Sequence, residues 1–149
     1  MERTFEITMT SSAPLIFMAS VSIFFILLIG LFVFIGYSIR NTKFEVTDQG
    51  LRIKGGIYGR FIHNEEIIGE NVKIIDLNAD LGYKPRIRTN GIGLPGYSEG
   101  WFKLKNKEKA LLFVTDRSNV VYIPTKQDYS VLLSASDPEE FYQVTKQWK

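Results

Sequence analysis

Cysteine is missing from all 149 residues, and histidine occurs once, as His63. The first absence excludes disulfides and cysteine-ligated metals, and a lone histidine gives no cluster at metal-ligand spacing. No Gly-x-Ser-x-Gly elbow occurs either, so the nucleophile of that hydrolase class has no candidate. The adjacent carboxylates Glu65-Glu66 and Glu139-Glu140 do not form an acid/base pair. Neighbours on a strand point to opposite faces, and the second pair opens a helix. The residues therefore predict a protein that is not an enzyme and that carries no cofactor and no metal. Internal repeats and low-complexity tracts are also lacking.

Charge is missing from one long stretch. No Asp, Glu, Lys, Arg or His occurs from Ile7 to Ile39, and Pro14 to Tyr37 is almost continuously apolar. A helix over this segment would be about 36 Å long at 1.5 Å per residue, enough to cross a hydrocarbon core of about 30 Å. A cleaved signal peptide would need a basic start and a shorter apolar core, whereas this chain begins with Glu2, Arg3 and Glu6. A buried helix of a soluble domain is disfavoured because the remaining residues, about 110, could hardly wrap a segment that is apolar on every face. The expected organisation is a short tail at 1–13, a transmembrane helix at 14–37 and a domain at 41–149. Arg40, Lys43, Arg52 and Lys54 follow the span, against Arg3 among two acids before it. Basic flanks stay in the cytoplasm, so the carboxyl-terminal domain is expected there. Setting aside Arg3 from the 18 basic residues, and Glu2 and Glu6 from the 16 acidic ones, leaves a net charge of +3 from Ser38 onward. That suits an anionic leaflet and is too weak for nucleic acid.

Beyond Arg40 the pattern becomes short apolar stretches between turn residues. Phe44 and Val46 alternate with Glu45 and Thr47, Asp48-Gln49-Gly50 makes a turn, and Leu51 and Ile53 alternate with Arg52 and Lys54. These read as two strands. Gly55-Gly56 provides a further turn into Ile57 to His63. More strands are expected at 72–76, 101–105, 110–115, 120–124 and 130–134. Asp137 is an N-cap candidate, Pro138 fits the first helical position and Glu140 completes a capping box. Phe141, Val144, Thr145 and Trp148 then share a face of a helix over 138–148. Strands closed by one amphipathic helix predict a mainly β domain, an antiparallel pleckstrin-homology-like barrel capped by a carboxyl-terminal helix, with an OB-type barrel as the alternative.

The passages at 41–60, RTNGIGLPGYSEGWFKLKNKEKALLFVTD at 88–116, VVYIPT at 120–125 and LLSASDPEEF at 132–141 resemble the bacterial pleckstrin-homology-like domain family in which one membrane helix precedes the barrel. The Gly/Pro-rich link before Gly-Trp-Phe is the most specific of these. The resemblance implies a PH-like fold and a binding role at the membrane, with no assigned reaction.

Gly91, Gly93 and Gly96 match the spacing of a dinucleotide loop, but such a loop enters a helix, whereas this one leads into the strand WFKLK. Two readings of the link stay open. It packs on its own domain, or Ile92, Leu94, Tyr97 and Trp101, with Arg86 and Arg88, contact a membrane interface or a partner. Lys103, Lys105, Lys107 and Lys109 recur at every second position, with a turn expected at 106–108 that cuts the row. The candidate binding surface is Arg86, Arg88, Tyr97, Trp101 and Lys103. Its expected partners are the lipid bilayer, through anionic headgroups, or another membrane protein. The alternative is a structural subunit whose helix packs into a larger membrane assembly, for which Ala19, Ser20, Ser22, Gly30 and Gly36 supply small side chains.

Overall fold

The computed structural model describes residues 3–5 and 11–148, so most of the expected tail at 1–13 lies outside the described residues. It comprises two compact units, Met1–Arg40 and Asn41–Lys149.

The first unit holds helix α1, Ala13–Asn41. Its Ala13–Tyr37 part, 25 residues, is long and apolar enough to cross a membrane, and none of its most apolar stretch is buried by protein. Ser20 and Ser22 return their hydroxyls to the carbonyls of Phe17 and Met18, at 2.8 and 2.9 Å. Their polarity is thus absorbed within the helix.

Among the described residues the second unit holds nine strands: β1 Lys43–Thr47, β2 Gly50–Lys54, β3 Arg60–His63, β4 Lys73–Ile75, β5 Pro85–Leu94, β6 Tyr97–Leu104, β7 Lys109–Val114, β8 Val120–Pro124 and β9 Ser130–Leu133. Helix α2, Pro138–Thr145, follows them. β1, β2 and β3 form one sheet, and the other six form a second in the order β4-β8-β9-β7-β6-β5. The expected mainly β domain ending in a helix is what the structure shows, while the barrel, expected closed or nearly closed, is corrected to two sheets that do not close on each other. The expected antiparallel pattern is corrected too, because β7 and β9 pair in parallel, Ala110 beside Ser130 through Phe113 beside Leu133.

Both corrections have one physical origin. The runs ALLFV, VVYI and VLL are apolar at every position, and their residues are buried on both faces of the sheet. On one face Leu111, Phe113, Val121, Ile123, Val131 and Leu133 join Leu51, Ile53, Ile62 and Phe141 in a core beneath the small sheet and α2. On the other, Leu112, Val114, Val120 and Leu132 join Phe102, Leu104 and Leu77, with Tyr83 packed against them. A small barrel has only one interior, whereas these sequences fill two.

Helix α2 starts as its sequence requires, with the Asp137 carboxylate accepting from the Glu140 amide at 2.9 Å. It ends at Thr145, three residues short of the expected end. Phe141 and Thr145 are buried and Val144 is exposed. Tyr142 packs against the core where Val144 had been expected, and Trp148, expected to be buried, packs there half-buried. The helix lies against β1, β4 and β8, so it covers a sheet face and does not plug a barrel end.

Candidate interaction surface

The Gly/Pro-rich segment is a strand, not a long link. Pro85–Leu94 pairs along β6, with bulges between Pro85 and Ile87 and between Arg88 and Asn90. Leu94 faces Tyr97 across a two-residue turn, Pro95-Gly96. Gly96 has φ +76, and proline followed by a positive-φ glycine is the preference of a type II turn. Gly91 faces Gly100 across the ladder. A Cβ on Gly100, at φ +111, would lie 2.6 Å from both the Asn90 oxygen and the Gly91 Cα. The glycines therefore allow two strands to approach closely at a point where Tyr58 also donates to Asn90 Oδ1 at 2.9 Å.

The next hairpin folds the row of lysines back on itself. The Leu104 amide donates to the Glu108 carbonyl at 2.8 Å and the Lys107 amide to the Leu104 carbonyl at 3.0 Å. This three-residue turn places Lys107 at φ +74, a conformation that costs a non-glycine residue about 1–2 kcal/mol. It also sets Lys103 directly opposite Lys109, and like charges so placed oppose folding. Lys109 Nζ is 4.4 Å from the Trp101 ring centroid and the Arg60 guanidinium carbon is 4.8 Å from it. Thr89, Asn90, Trp101, Lys103, Lys107 and Lys109 line an open depression of about 520 Å³. Among the described residues Lys54 pairs with Glu45 at 2.6 Å, whereas Arg60, Lys103, Lys107, Lys109 and Lys126 form no ion pair.

The residues singled out in the sequence separate into three groups. Trp101, half-buried, and Lys103, exposed, share a face. Arg86 and Arg88 are exposed on the edge strand β5, and Arg88 stands opposite Phe102, on the other face of the sheet from Trp101. Tyr97 is buried and donates its hydroxyl to Glu99, itself 1% exposed. Tyr97 thus belongs to the hairpin interior and is withdrawn from the exposed surface. Arg60 and Lys126 were not anticipated. They come from β3 and from the turn after β8, and only the folded sheets bring them near Trp101.

Two tyrosines give the domain a pH limit. Burial, then the hydrogen bond and charge of Glu99, raise the Tyr97 hydroxyl well above its ordinary pKa of 10.0. Burial and Glu108, which accepts from Tyr122 at 2.9 Å, do the same for Tyr122. A folded-state pKa above the unfolded one gives stability that is fully present below pH 10 and is lost as pH rises above it. Denaturant titrations should give a constant unfolding free energy from about pH 8 to 9.5 and a decline beyond about pH 10, shallower in Tyr97→Phe. An identical decline in that variant would remove Tyr97 from the account.

A larger groove of about 740 Å³ runs between β1 and α2, but Glu45, Asp116, Asp137 and Glu140 line it beside Lys43. Hydrogen bonds from Ser118 hold the Asp116 carboxyl below its usual pKa. Its acidic walls oppose an anionic ligand, so the basic face around Trp101 is the better candidate.

A family model described as "Bacterial PH domain" matches residues 42–148. PH domains are generally non-catalytic binding modules. No curated protein and no solved structure matches the chain.

Proposed function

The chain belongs to the bacterial PH domain family, and from that premise we propose that it is a single-pass membrane protein whose PH-like domain binds an acidic membrane surface on the cytoplasmic side. The observation that carries this reading is the cluster of Lys103, Lys107 and Lys109 around Trp101 without acidic partners. A cross-strand lysine pair and a lysine at positive φ both weaken the fold. An external anion would offset the repulsion between the paired lysines, though not the backbone strain at Lys107. Trp101 adds an aromatic group suited to the headgroup region. Arg86 and Arg88, on the edge strand, provide a second basic arm. Helix α1 as an anchor makes weak affinity sufficient, because a tether converts association into an intramolecular step.

The unit Asn41–Lys149 has its own core, so its vesicle binding can be measured apart from the anchor. It should bind vesicles containing phosphatidylserine more strongly than neutral ones, and less so as salt is raised. Each basic residue near such a surface is worth about 1 kcal/mol, so Lys103→Glu with Lys109→Glu should weaken binding about tenfold or more. Arg86→Glu with Arg88→Glu should weaken it as well. Equal binding to neutral vesicles, or insensitivity to salt, would overturn the lipid reading in favour of a protein partner. A reporter fused after Lys149 and active in the cytoplasm supports the stated orientation.

A further inference from the structure

The acidic groove between β1 and α2 is lined by every residue from Thr42 to Val46. One face of a strand offers only alternate residues, so a consecutive run means that β1 borders the groove along its edge. β1 stands at the end of its sheet with β2 on one side only, and its pairing with β2 runs from Lys43 to Thr47 without a bulge. Its outward backbone donors and acceptors therefore lie in a regular row, ready to pair with a further strand. The outer strand β5 differs, because two bulges break its register, a common protection against such pairing. Across the groove α2 presents Phe141 and Val144. Val144 is 43% exposed, and Phe44 and Val46 are half-buried, so apolar surface is left between strand and helix. At one end the Ser134 hydroxyl accepts from the Asp116 amide at 3.1 Å and donates to the Asp116 carbonyl at 2.8 Å. That wall is thus already in place before any partner arrives.

From these features we infer that the groove takes an extended basic segment of a protein partner, which adds to β1 as a further strand of the small sheet. Main-chain hydrogen bonds to the β1 edge would supply affinity, and side chains at alternate positions would supply choice. Apolar ones fit between Phe44, Phe141 and Val144. The others meet Glu45, Asp116, Asp137 and Glu140, against which the groove itself sets Lys43 alone. Lys54 already pairs with Glu45, whereas Asp116, Asp137 and Glu140 form no ion pair among the described residues. Lys or Arg in the segment is what these walls favour, and an acidic segment is what they repel. A second copy of β1, KFEVT, brings one acid for one base and so gains nothing from them. The five residues of β1 span roughly 17 Å and the eight of α2 roughly 12 Å, room for about four or five residues of an extended chain. This groove shares no residue with the basic face around Trp101, and its partner does not depend on the membrane reading.

The test uses the full chain in nanodiscs of phosphatidylcholine and a fluorescein-labelled peptide, Lys-Val-Arg-Val-Lys-Val. Its anisotropy should rise saturably at about 0.15 M salt, and Glu-Val-Asp-Val-Glu-Val should not bind. Two further versions of the basic peptide carry methyl groups on alternate amide nitrogens, one set in each, so that each loses the donors along one side of the strand. One of the two should bind about tenfold more weakly or worse, and the other should keep its affinity. Glu140→Lys, at an exposed position in the first turn of α2, should weaken the unmethylated peptide about tenfold or more, and Glu140→Gln, which keeps the side chain's shape, should weaken it less. Val144→Lys should act as Glu140→Lys does, at an unchanged thermal midpoint. Lys103→Glu with Lys109→Glu, outside the groove, should bind the peptide as the parent chain does. Equal affinities for the two methylated peptides overturn strand addition. Equal binding of the acidic peptide, or full affinity in Glu140→Lys, overturns the assignment of a basic partner. If Val144→Lys turns a detergent-solubilised dimer into a monomer and leaves peptide binding unchanged, a second copy occupies the groove and the proposal falls.

Discussion

Phe141→Ala should lower the unfolding free energy of the domain by about 3–5 kcal/mol, read from the denaturant midpoint at unchanged slope. Phe141 is the side chain through which α2 enters the core, and it is 9% exposed. Its ring meets Phe44 of β1 edge to face at 6.5 Å, and Phe44 in turn meets Phe113 of β7 at 6.0 Å. Truncation would leave a cavity where the small sheet, the large sheet and the helix converge, so collapse around it would need three elements to move together. Val144→Ala, one residue away from the buried row and exposed, should change stability by about 0.5 kcal/mol or less. Equal losses at the two positions would mean that α2 does not hold the orientation described above.

Gly100→Ala should be of similar size for a different reason. A methyl group at φ +111 would sit 2.6 Å from two backbone atoms of β5, and backbone cannot turn aside as a flexible side chain can. Backbone strain of about 1–3 kcal/mol and overpacking of about 1–3 kcal/mol together predict a loss of about 2–6 kcal/mol. The matched control is Gly82→Ala, where no atom lies within 4 Å of the added carbon. Thermal unfolding that leaves Gly100→Ala at the parental midpoint would show that β5 and β6 are not paired at Gly91 and Gly100.

The sequence shows clearly those features that depend on neighbours along the chain. Alternation at Phe44 to Lys54 marked β1 and β2, and Asp137-Pro138 with Glu140 marked the start of α2, because caps and pleats are set within a few residues. β5 escaped notice since its glycines and proline are the usual signs of a loop. They mark a strand here because Gly91 and Gly100 stand opposite one another, a relation that exists only after pairing. The parallel β7–β9 pair was hidden likewise, although the unbroken apolar runs that carry it were a signal for strands buried on both sides. That Trp101 and Lys103 share a face was legible from their two-residue spacing on a strand. Arg60 lies 41 positions before Trp101 in the chain, and no spacing rule links them. Tyr97 looked like an interfacial aromatic because its hydroxyl partner, Glu99, reads as a solvated acid until the hairpin buries it.

The contact between Phe44 and Phe141 has a consequence for how the domain is made. β1 is the first strand of the domain to leave the ribosome, and its partner in the core is synthesised 97 residues later. At about 5–20 residues per second, that interval lasts on the order of 5 to 20 seconds. During it the apolar face of the β1–β2 hairpin has no helix to cover it. The core therefore closes only as synthesis passes α2, and a chain arrested before Asp137 presents Phe44 and Phe113 to whatever lies nearby. The exposed intermediate is thus a half-assembled sheet whose last covering segment has not yet been made.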